Sequence, residues 1–188
     1  MNPEDYQSVI RGFLGDKRYE HSLCVARAAK KLALRYGADE KKAETAGILH
    51  DIMKDLTPQE QQEKMARYGI VLTDVEKSAP KLWHAMLAGE YLRRELHIGD
   101  REILDAVRYH TTGRANMTLL DEVVFIADFI SDDRDYPGVE TMRAAAGESL
   151  EKAMIAGFVF TIRDLAEAER PIHPDMIAAY NWTVLRKP

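Results

Sequence analysis

The segment AGILHDIMKD, residues 46–55, joins an apolar run to a charged one. Small and apolar residues at 46–49 fit the buried end of a helix, and His50 and Asp51 follow them directly. Lys54 comes three residues after Asp51, about one helical turn further on. An imidazole and a carboxylate held rigidly at the end of a packed helix are well suited to binding a metal ion. The segment therefore predicts a metal site supported by buried helices.

The composition indicates one domain in a reducing compartment. The chain has 188 residues, 46% of them hydrophobic, so we predict a single domain over residues 1–188. A net charge of −5, with acidic and basic residues intermixed, argues against general nucleic-acid binding. Neither a signal-peptide apolar region nor a membrane-length apolar stretch occurs, so we expect no membrane association and a cytoplasmic location. The single cysteine, Cys24, excludes an internal disulfide, and we expect it to be a small buried residue.

Helical periodicity extends over nearly the whole sequence and predicts an all-α fold. Only GIVLT, residues 69–73, has a β-like composition, and one short strand would have no partner. We expect a core that carries the ligands at about 17–131 and further helices at about 132–188. The predicted helices cover residues 5–14, 17–36, 40–50, 58–68, 73–77 as a single turn, 81–95, 101–109, 118–131, 139–147, 149–168 and 175–185.

Asp128 is the one acid within the apolar stretch VVFIADFI, residues 123–130. Burying an unpaired carboxylate is costly, so Asp128 requires a partner. A salt bridge or a helix cap would satisfy Asp128 alone, whereas one divalent cation held by His21, His50, Asp51 and Asp128 would satisfy both carboxylates. Imidazole and carboxylate ligands favour Fe, Mn, Co, Ni or Zn over Ca. The absence of a cysteine cluster favours a catalytic metal site over a structural one.

The ordered set His21, His50–Asp51 and Asp128 resembles the H…HD…D pattern of the HD-domain metal-dependent phosphohydrolases. The resemblance is closer still to the YqeK family of bacterial HD proteins, and it covers nearly the whole chain. This resemblance implies an HD-domain helical bundle with the metal site at its centre. It also implies symmetrical bis(5′-nucleosyl)-tetraphosphatase activity, which splits diadenosine tetraphosphate into two ADP, with iron as the favoured metal. The segments that carry the resemblance are RYEHSLCVARAAKKLA (18–33), AGILHDIMKDL (46–56), LWHAMLAGE (82–90), RYHTTGR (108–114), VVFIADFISDDRDYPGVE (123–140) and RPIHPDMIAAYN (170–181).

Two further histidines, His84 and His110, fall between the HD pair and the last aspartate. Binuclear HD proteins place extra ligands there, so the resemblance implies one or two metal ions, with Asp51 placed to bridge them. The sequence leaves open whether His84 and His110 bind a second metal or contact phosphate directly. The candidate catalytic residues are Asp51, Lys54, His84 and His110.

An anionic dinucleoside polyphosphate requires local positive charge in a net-acidic protein. RPIHPD, residues 170–175, is expected to contact the nucleotide, although a rigid connector would have the same composition. Thr111 or Thr112 could bond a phosphate or cap a helix, and Gly113 is expected to make that loop flexible. The candidate substrate-binding residues are Arg18, Lys54, Trp83, His84, His110, Thr111, Arg114, Arg134, Arg170, Ile172 and His173.

Two other functions fit the same residues. The chain could be an HD-superfamily nucleotidase or phosphodiesterase that acts on another nucleotide. It could also bind a nucleotide through its metal as a sensor without turnover. A homodimer would be ordinary for a small bacterial enzyme, but no segment of the sequence identifies an interface. His97, near the end of a predicted helix, is interpreted as structural.

Overall fold

The structure is a computed structural model that describes residues 3–186, and helices make up all of its regular secondary structure in that range. The predicted all-α fold is therefore confirmed, and the GIVLT segment forms no strand. No described helix has the length and apolar character needed to span a bilayer. The helices are α1 (Pro3–Arg11), α2 (Asp16–Tyr36), α3 (Glu40–Leu49), α4 (Pro58–Tyr68), α5 (Asp74–Ser78), α6 (Trp83–Arg94), α7 (Arg101–Tyr109), α8 (Leu119–Ile130), α9 (Val139–Glu148), α10 (Leu150–Glu167) and α11 (Pro174–Leu185).

Two predicted boundaries were wrong. The first helix was predicted over 5–14 but ends at Arg11, where Gly12 follows and weakens helix continuation. The helix predicted over 81–95 begins instead as a 3-10 turn at Pro80–Leu82 and becomes α6 at Trp83. The residue before a proline is disfavoured in the α conformation, so no helix extends back beyond Pro80 into Ala79, and a 3-10 turn is a common start for an α-helix.

Helix α3 packs directly against the backbone of α2, because Gly47 has no side chain. A Cβ at Gly47 would lie 2.6 Å from the Cα of Ala26 and 2.9 Å from its N atom. Small residues at such a contact allow two helices to approach closely. The approach places the HD end of α3 beside the part of α2 that carries His21, at the edge of the main apolar cluster.

The loop after α7 is packed rather than flexible, so the expectation for Gly113 was wrong. Gly113 is buried with φ +64, a conformation that favours glycine. A Cβ there would lie 2.9 Å from Cε1 of Phe158 and 3.0 Å from Cβ of Ala179. The loop is therefore wedged under α10 and α11. Cys24 is buried, as expected.

Candidate metal centre

Helix ends and helix faces bring the predicted ligands together. His50 and His110 are the residues that follow α3 and α7, His21 and Asp128 lie on α2 and α8, and His84 lies in the first turn of α6. Three groups among the described residues have ligand atoms within 4.8 Å of one another. They are His21–His50–Asp51, His50–His110–Asp128 and Asp51–His84–His110.

The two histidines at helix ends are oriented by their own helices. Nδ1 of His50 lies 2.8 Å from the carbonyl oxygen of Gly47, and Nδ1 of His110 lies 2.7 Å from that of Val107. Carbonyl groups in the last turn of a helix lack intrahelical donors, so each Nδ1–H donates to one of them. The lone pair is thereby fixed on Nε2, which faces the centre. This explains why the apolar run 46–49 ends in a histidine.

A divalent metal fits these side chains. His50 is fully buried, and its Nε2 atom has no hydrogen-bond partner among the described residues. A buried nitrogen lone pair without a donor is unfavourable, and a cation in contact with Nε2 would satisfy it. The donor set of imidazoles and carboxylates is one that transition metals prefer.

His21 is held by a carboxylate, Asp133, that does not stand out in the sequence. Its Nδ1 atom lies 2.7 Å from Oδ2 of Asp133, and its Nε2 atom lies 3.0 Å from Oδ1 of Asp128. Oδ1 of Asp133 also accepts a 2.8 Å hydrogen bond from the hydroxyl of Ser131. A carboxylate behind a metal-binding histidine orients the ring and raises its basicity. In the sequence, Asp133 belongs to the run SDD directly after α8. Nothing in this run indicates a contact with His21, because the contact forms only when the loop folds back onto α2.

Asp51 lies between two groups of imidazoles. Its Oδ2 atom is 3.6 Å from Nε2 of His50, while Oδ1 is 3.0 Å from Nε2 of His84 and 3.6 Å from Nε2 of His110. Asp51 is only 3% exposed, so both oxygens are directed into the centre. Each oxygen thus faces different histidines, an arrangement that suits a bridging carboxylate.

Burial and neighbouring charges set the protonation of the centre. Burial lowers the pKa of His50 and of His84 to about 4, so both rings are neutral near pH 7 and their lone pairs are available. Burial alone would raise the pKa of Asp51, but the adjacent imidazoles, led by His50, hold it well below its usual range. Asp128 behaves in the same way, with its pKa lowered chiefly by the hydrogen bond to His21. Neutral imidazoles and ionised carboxylates are the forms that bind metals.

Three of the predicted basic residues lie at this centre. Nη1 of Arg18 lies 3.0 Å from Oδ2 of Asp51, and the guanidinium of Arg134 contacts Oδ1 of Asp128. Nζ of Lys54 lies 3.2 Å from Nδ1 of His84. A polar cavity of about 700 Å³ opens beside these side chains, lined by Lys17, Arg18, His21, Arg134 and Tyr136 among others.

Other predicted contact residues are engaged elsewhere. Arg114 pairs with Asp121 at 2.7 Å and with Asp105 at 3.4 Å, neither of which is a predicted ligand. Trp83 is buried and donates from Nε1 to the carbonyl oxygen of Glu76 at 2.7 Å. These contacts occupy both side chains within the protein, and substrate contact by Arg114 and Trp83 stays a prediction.

The RPIHPD segment is anchored at its centre. His173 caps α11 by accepting a 3.1 Å hydrogen bond from the N–H of Asp175, and its Nε2 atom lies 3.4 Å from Oε1 of Glu76. Ile172 packs against the core. Arg170 and His173 also line a second cavity, together with Thr111. The segment is thus anchored and forms one wall of a cavity, and its contact with a nucleotide stays a prediction.

Several helices of this all-α fold converge on imidazoles and carboxylates, and the family comparison gives the class of protein to which the arrangement belongs. The sequence model described as the HD domain matches residues 18–132. The chain therefore belongs to the HD-domain family, as predicted from the sequence.

Two relatives that match this chain over all or nearly all of their length carry the same name. The chain is 39% identical to the Bacillus subtilis protein named symmetrical bis(5′-nucleosyl)-tetraphosphatase, over 98% of both chains. It is 37% identical to the Halalkalibacterium halodurans protein of the same name, over 100% of both chains. A crystal structure from Clostridium acetobutylicum, described as a predicted HD superfamily hydrolase involved in NAD metabolism, superposes with a TM-score of 0.93 at 35% identity, covering 98% of this chain and 97% of that one.

Proposed function

We propose that this protein is a metal-dependent hydrolase that cleaves dinucleoside tetraphosphates symmetrically, converting diadenosine tetraphosphate and water into two ADP. The observation that carries the proposal is the 39% identity, over 98% of both chains, to a relative named for this activity. The buried cluster around His50 and Asp51 supports it, because phosphoanhydride hydrolysis requires charge neutralisation and an activated water.

The proposed first metal site consists of His21, His50, Asp51 and Asp128, with Asp51, His84 and His110 available for a second ion. A divalent transition metal, with iron favoured, would supply Lewis-acid polarisation of phosphoryl oxygens and activation of water. Whether His84 and His110 hold a second ion or contact phosphate is the open choice within this proposal.

The remaining polar side chains have roles in substrate binding. Arg18 and Arg134 lie at the polar cavity and can each grip a phosphate through two parallel hydrogen bonds. Lys54 is held against His84, and burial lowers the pKa of its ammonium group. We assign Lys54 the neutralisation of the phosphate that leaves as the central P–O–P bond breaks. A cytoplasmic location and a homodimer remain predictions.

Product analysis by ion-exchange chromatography tests the proposal. Protein purified without chelator is incubated with diadenosine tetraphosphate and Fe, Mn or Co, and ADP is expected as the sole nucleotide product. AMP plus ATP would contradict the cleavage position, and no product with any metal would contradict the activity. His50→Ala and Asp51→Ala should abolish turnover and lower the metal content. His97→Asn is the matched control, because His97 is exposed and its φ of 53° suits asparagine.

A second candidate is hydrolysis of another nucleotide. It is favoured by the similarity to the Clostridium acetobutylicum protein, which is described as involved in NAD metabolism. The same assay distinguishes the two candidates when NAD and mononucleotides are offered beside diadenosine tetraphosphate at equal concentration. Faster turnover of NAD or of a mononucleotide would replace the first proposal.

A further inference from the structure

Asp55 lies four residues after Asp51, and its carboxylate faces the start of α2. Its Oδ2 atom accepts a 2.9 Å hydrogen bond from the N–H of Gly15, the residue directly before α2. Its Oδ1 atom lies 3.7 Å from Nε of Arg18, in the first turn of the same helix. Asp55 therefore connects the segment between α3 and α4 to the end of α2 that carries Arg18.

Arg18 is held by two carboxylates at once. Its Nη1 atom lies 3.0 Å from Oδ2 of Asp51, while Asp55 approaches a different nitrogen, Nε. A guanidinium has five N–H donors in a fixed fork. Nη2 of Arg18 donates no hydrogen bond within residues 3–186, and Nη1 has a second hydrogen. Arg18 can therefore keep its contact with Asp51 and still offer two nitrogens to a phosphate group.

The pair of Arg18 and Asp55 contributes little to the stability of the fold. The two side chains are 33% and 35% exposed, so water screens their attraction, and an exposed ion pair of this kind adds little net stability. Both side chains line the polar cavity beside the metal centre. The contact is therefore more relevant to the geometry of that cavity than to folding.

A carboxylate is unfavourable in a cavity that receives a polyphosphate, because like charges repel. Without Asp55, however, Asp51 would be the only carboxylate within 4.0 Å of Arg18 among the described residues. A lone carboxylate can bind a guanidinium through two parallel hydrogen bonds, which would take donors of Arg18 away from the substrate. Asp55 gives Arg18 a second point of attachment and so opposes this arrangement.

We infer that Asp55 is a positioning residue that holds Arg18 in the orientation that receives a phosphate group, an inference that rests on the proposed function. Asp55 acts through Arg18 and makes no contact with the phosphate itself. Because the guanidinium is already oriented, less side-chain freedom is lost when the substrate binds.

The experiment measures the affinity for imidodiphosphate, a short phosphate chain that resists hydrolysis and has no nucleoside, by calorimetry with Mn²⁺ in excess. Asp55→Asn keeps an acceptor for the N–H of Gly15 and removes the charge beside Arg18. Loss of a negative charge alone should tighten the binding of an anion, whereas loss of positioning should weaken it. We expect the dissociation constant to rise about three- to tenfold. Asp55→Glu restores the charge and should recover part of the affinity.

The matched control is Asp135→Asn, which removes an exposed carboxylate from the same cavity. Asp135 forms no ion pair with Arg18 in the described part of the chain, so this variant should leave the dissociation constant unchanged or lower it. Metal affinity, measured by titration against a chromophoric chelator, should match wild type in Asp55→Asn, because every proposed ligand is retained. A loss of metal affinity equal to the loss of imidodiphosphate affinity would overturn the inference.

A double-mutant cycle separates positioning from a general structural effect. Arg18→Met should weaken imidodiphosphate binding, and adding Asp55→Asn to Arg18→Met should change it by less than about twofold. The same loss from Asp55→Asn in both backgrounds would overturn the inference, as would unchanged or tighter binding in Asp55→Asn, or no binding to wild type. Release of ADP from diadenosine tetraphosphate is measured separately. If wild type releases none but the cycle gives the expected result, the proposed function fails and the positioning of Arg18 by Asp55 stands.

Discussion

The imidazole of His21 donates from Nδ1 to Oδ2 of Asp133 over 2.7 Å, although 112 positions separate the two residues in the sequence. The loop that carries Asp133 is held by Arg143, whose Nη2 atom donates to the carbonyl oxygens of Ser131 at 2.9 Å and Arg134 at 3.1 Å. One loop thus places a carboxylate behind His21 and a guanidinium on Asp128. Because Nδ1 of His21 carries the proton that is donated to Asp133, Nε2 carries the lone pair, and this lone pair can bind a metal.

Replacing Asp133 should weaken metal binding. We expect Asp133→Ala to lower the metal affinity by about 10- to 100-fold, because it removes both the acceptor and the charge behind His21. Asp133→Asn keeps an acceptor without the charge and should have a smaller effect. The measurement is a competition titration against a chromophoric chelator, independent of turnover. Asp132→Ala, at the exposed neighbouring position, is the control. Wild-type affinity in Asp133→Ala would remove Asp133 from the centre.

Metal affinity should fall as the pH drops below neutral, and His21 should be the first of three ligands to protonate. Burial lowers the pKa of His21, but the hydrogen bond and charge of Asp128 outweigh burial and raise it above its usual value. His50 and His84, with pKa values of about 4, remain neutral until much lower pH. A proton on His21 competes with the metal. The metal affinity therefore has its full value above the raised pKa of His21 and falls as the pH drops through that pKa. The same chelator titration between pH 8 and pH 5 measures this, and a flat curve would exclude His21 as a ligand. In Asp133→Asn the fall should begin at lower pH.

The convergence of the predicted ligands was predictable from the sequence, because local patterns mark each of them; their role as metal ligands stays a prediction. His50 and His110 end predicted helices, and Asp128 interrupts an apolar face, so each position stands out from its neighbours. The roles of Asp133 and Arg114 were not predictable, because their partners are set by tertiary packing. Arg114 sits beside a ligand-bearing loop in sequence, yet it folds onto Asp121 and Asp105. Basic residues that lie near a predicted ligand in the sequence are therefore candidates for phosphate contact. The sequence does not show which of them are already paired with a carboxylate in the folded protein.

The close contact of α2 and α3 makes Gly47 a sensitive position. Gly47→Ala would place a methyl group 2.6 Å from the Cα of Ala26, so the helices must separate. We expect the free energy of unfolding to fall by about 1–3 kcal/mol, as for other overpacked cores. Gly147→Ala is the matched control, because a Cβ on this exposed helical glycine meets nothing within 4 Å. It should be neutral or stabilising by up to about 1 kcal/mol. Urea denaturation of both variants measures the difference, and equal stability would contradict the packing argument.

Lys54 should matter for turnover and not for metal binding. Its Nζ atom contacts the ring of His84 at 3.2 Å and 3.3 Å, and an ammonium group has no lone pair with which to bind a metal. Lys54→Met retains the length of the side chain and removes the charge, so we expect kcat to fall about 100-fold or more, in line with the loss of one positioned electrostatic group. Metal content and the pH dependence of metal affinity should match those of wild type.

The control for Lys54→Met is Lys152→Met on α10, which removes an exposed ion pair with Glu148 of α9 and should leave kcat unchanged. Lys54→Arg provides a second comparison, because it restores the charge with a different shape and should recover part of the lost rate. Unchanged kinetics in Lys54→Met would exclude Lys54 from the phosphate site. A fall in metal content equal to the fall in rate would show instead that Lys54 acts by supporting His84, since the loss would then arise from the centre and not from the reacting phosphate.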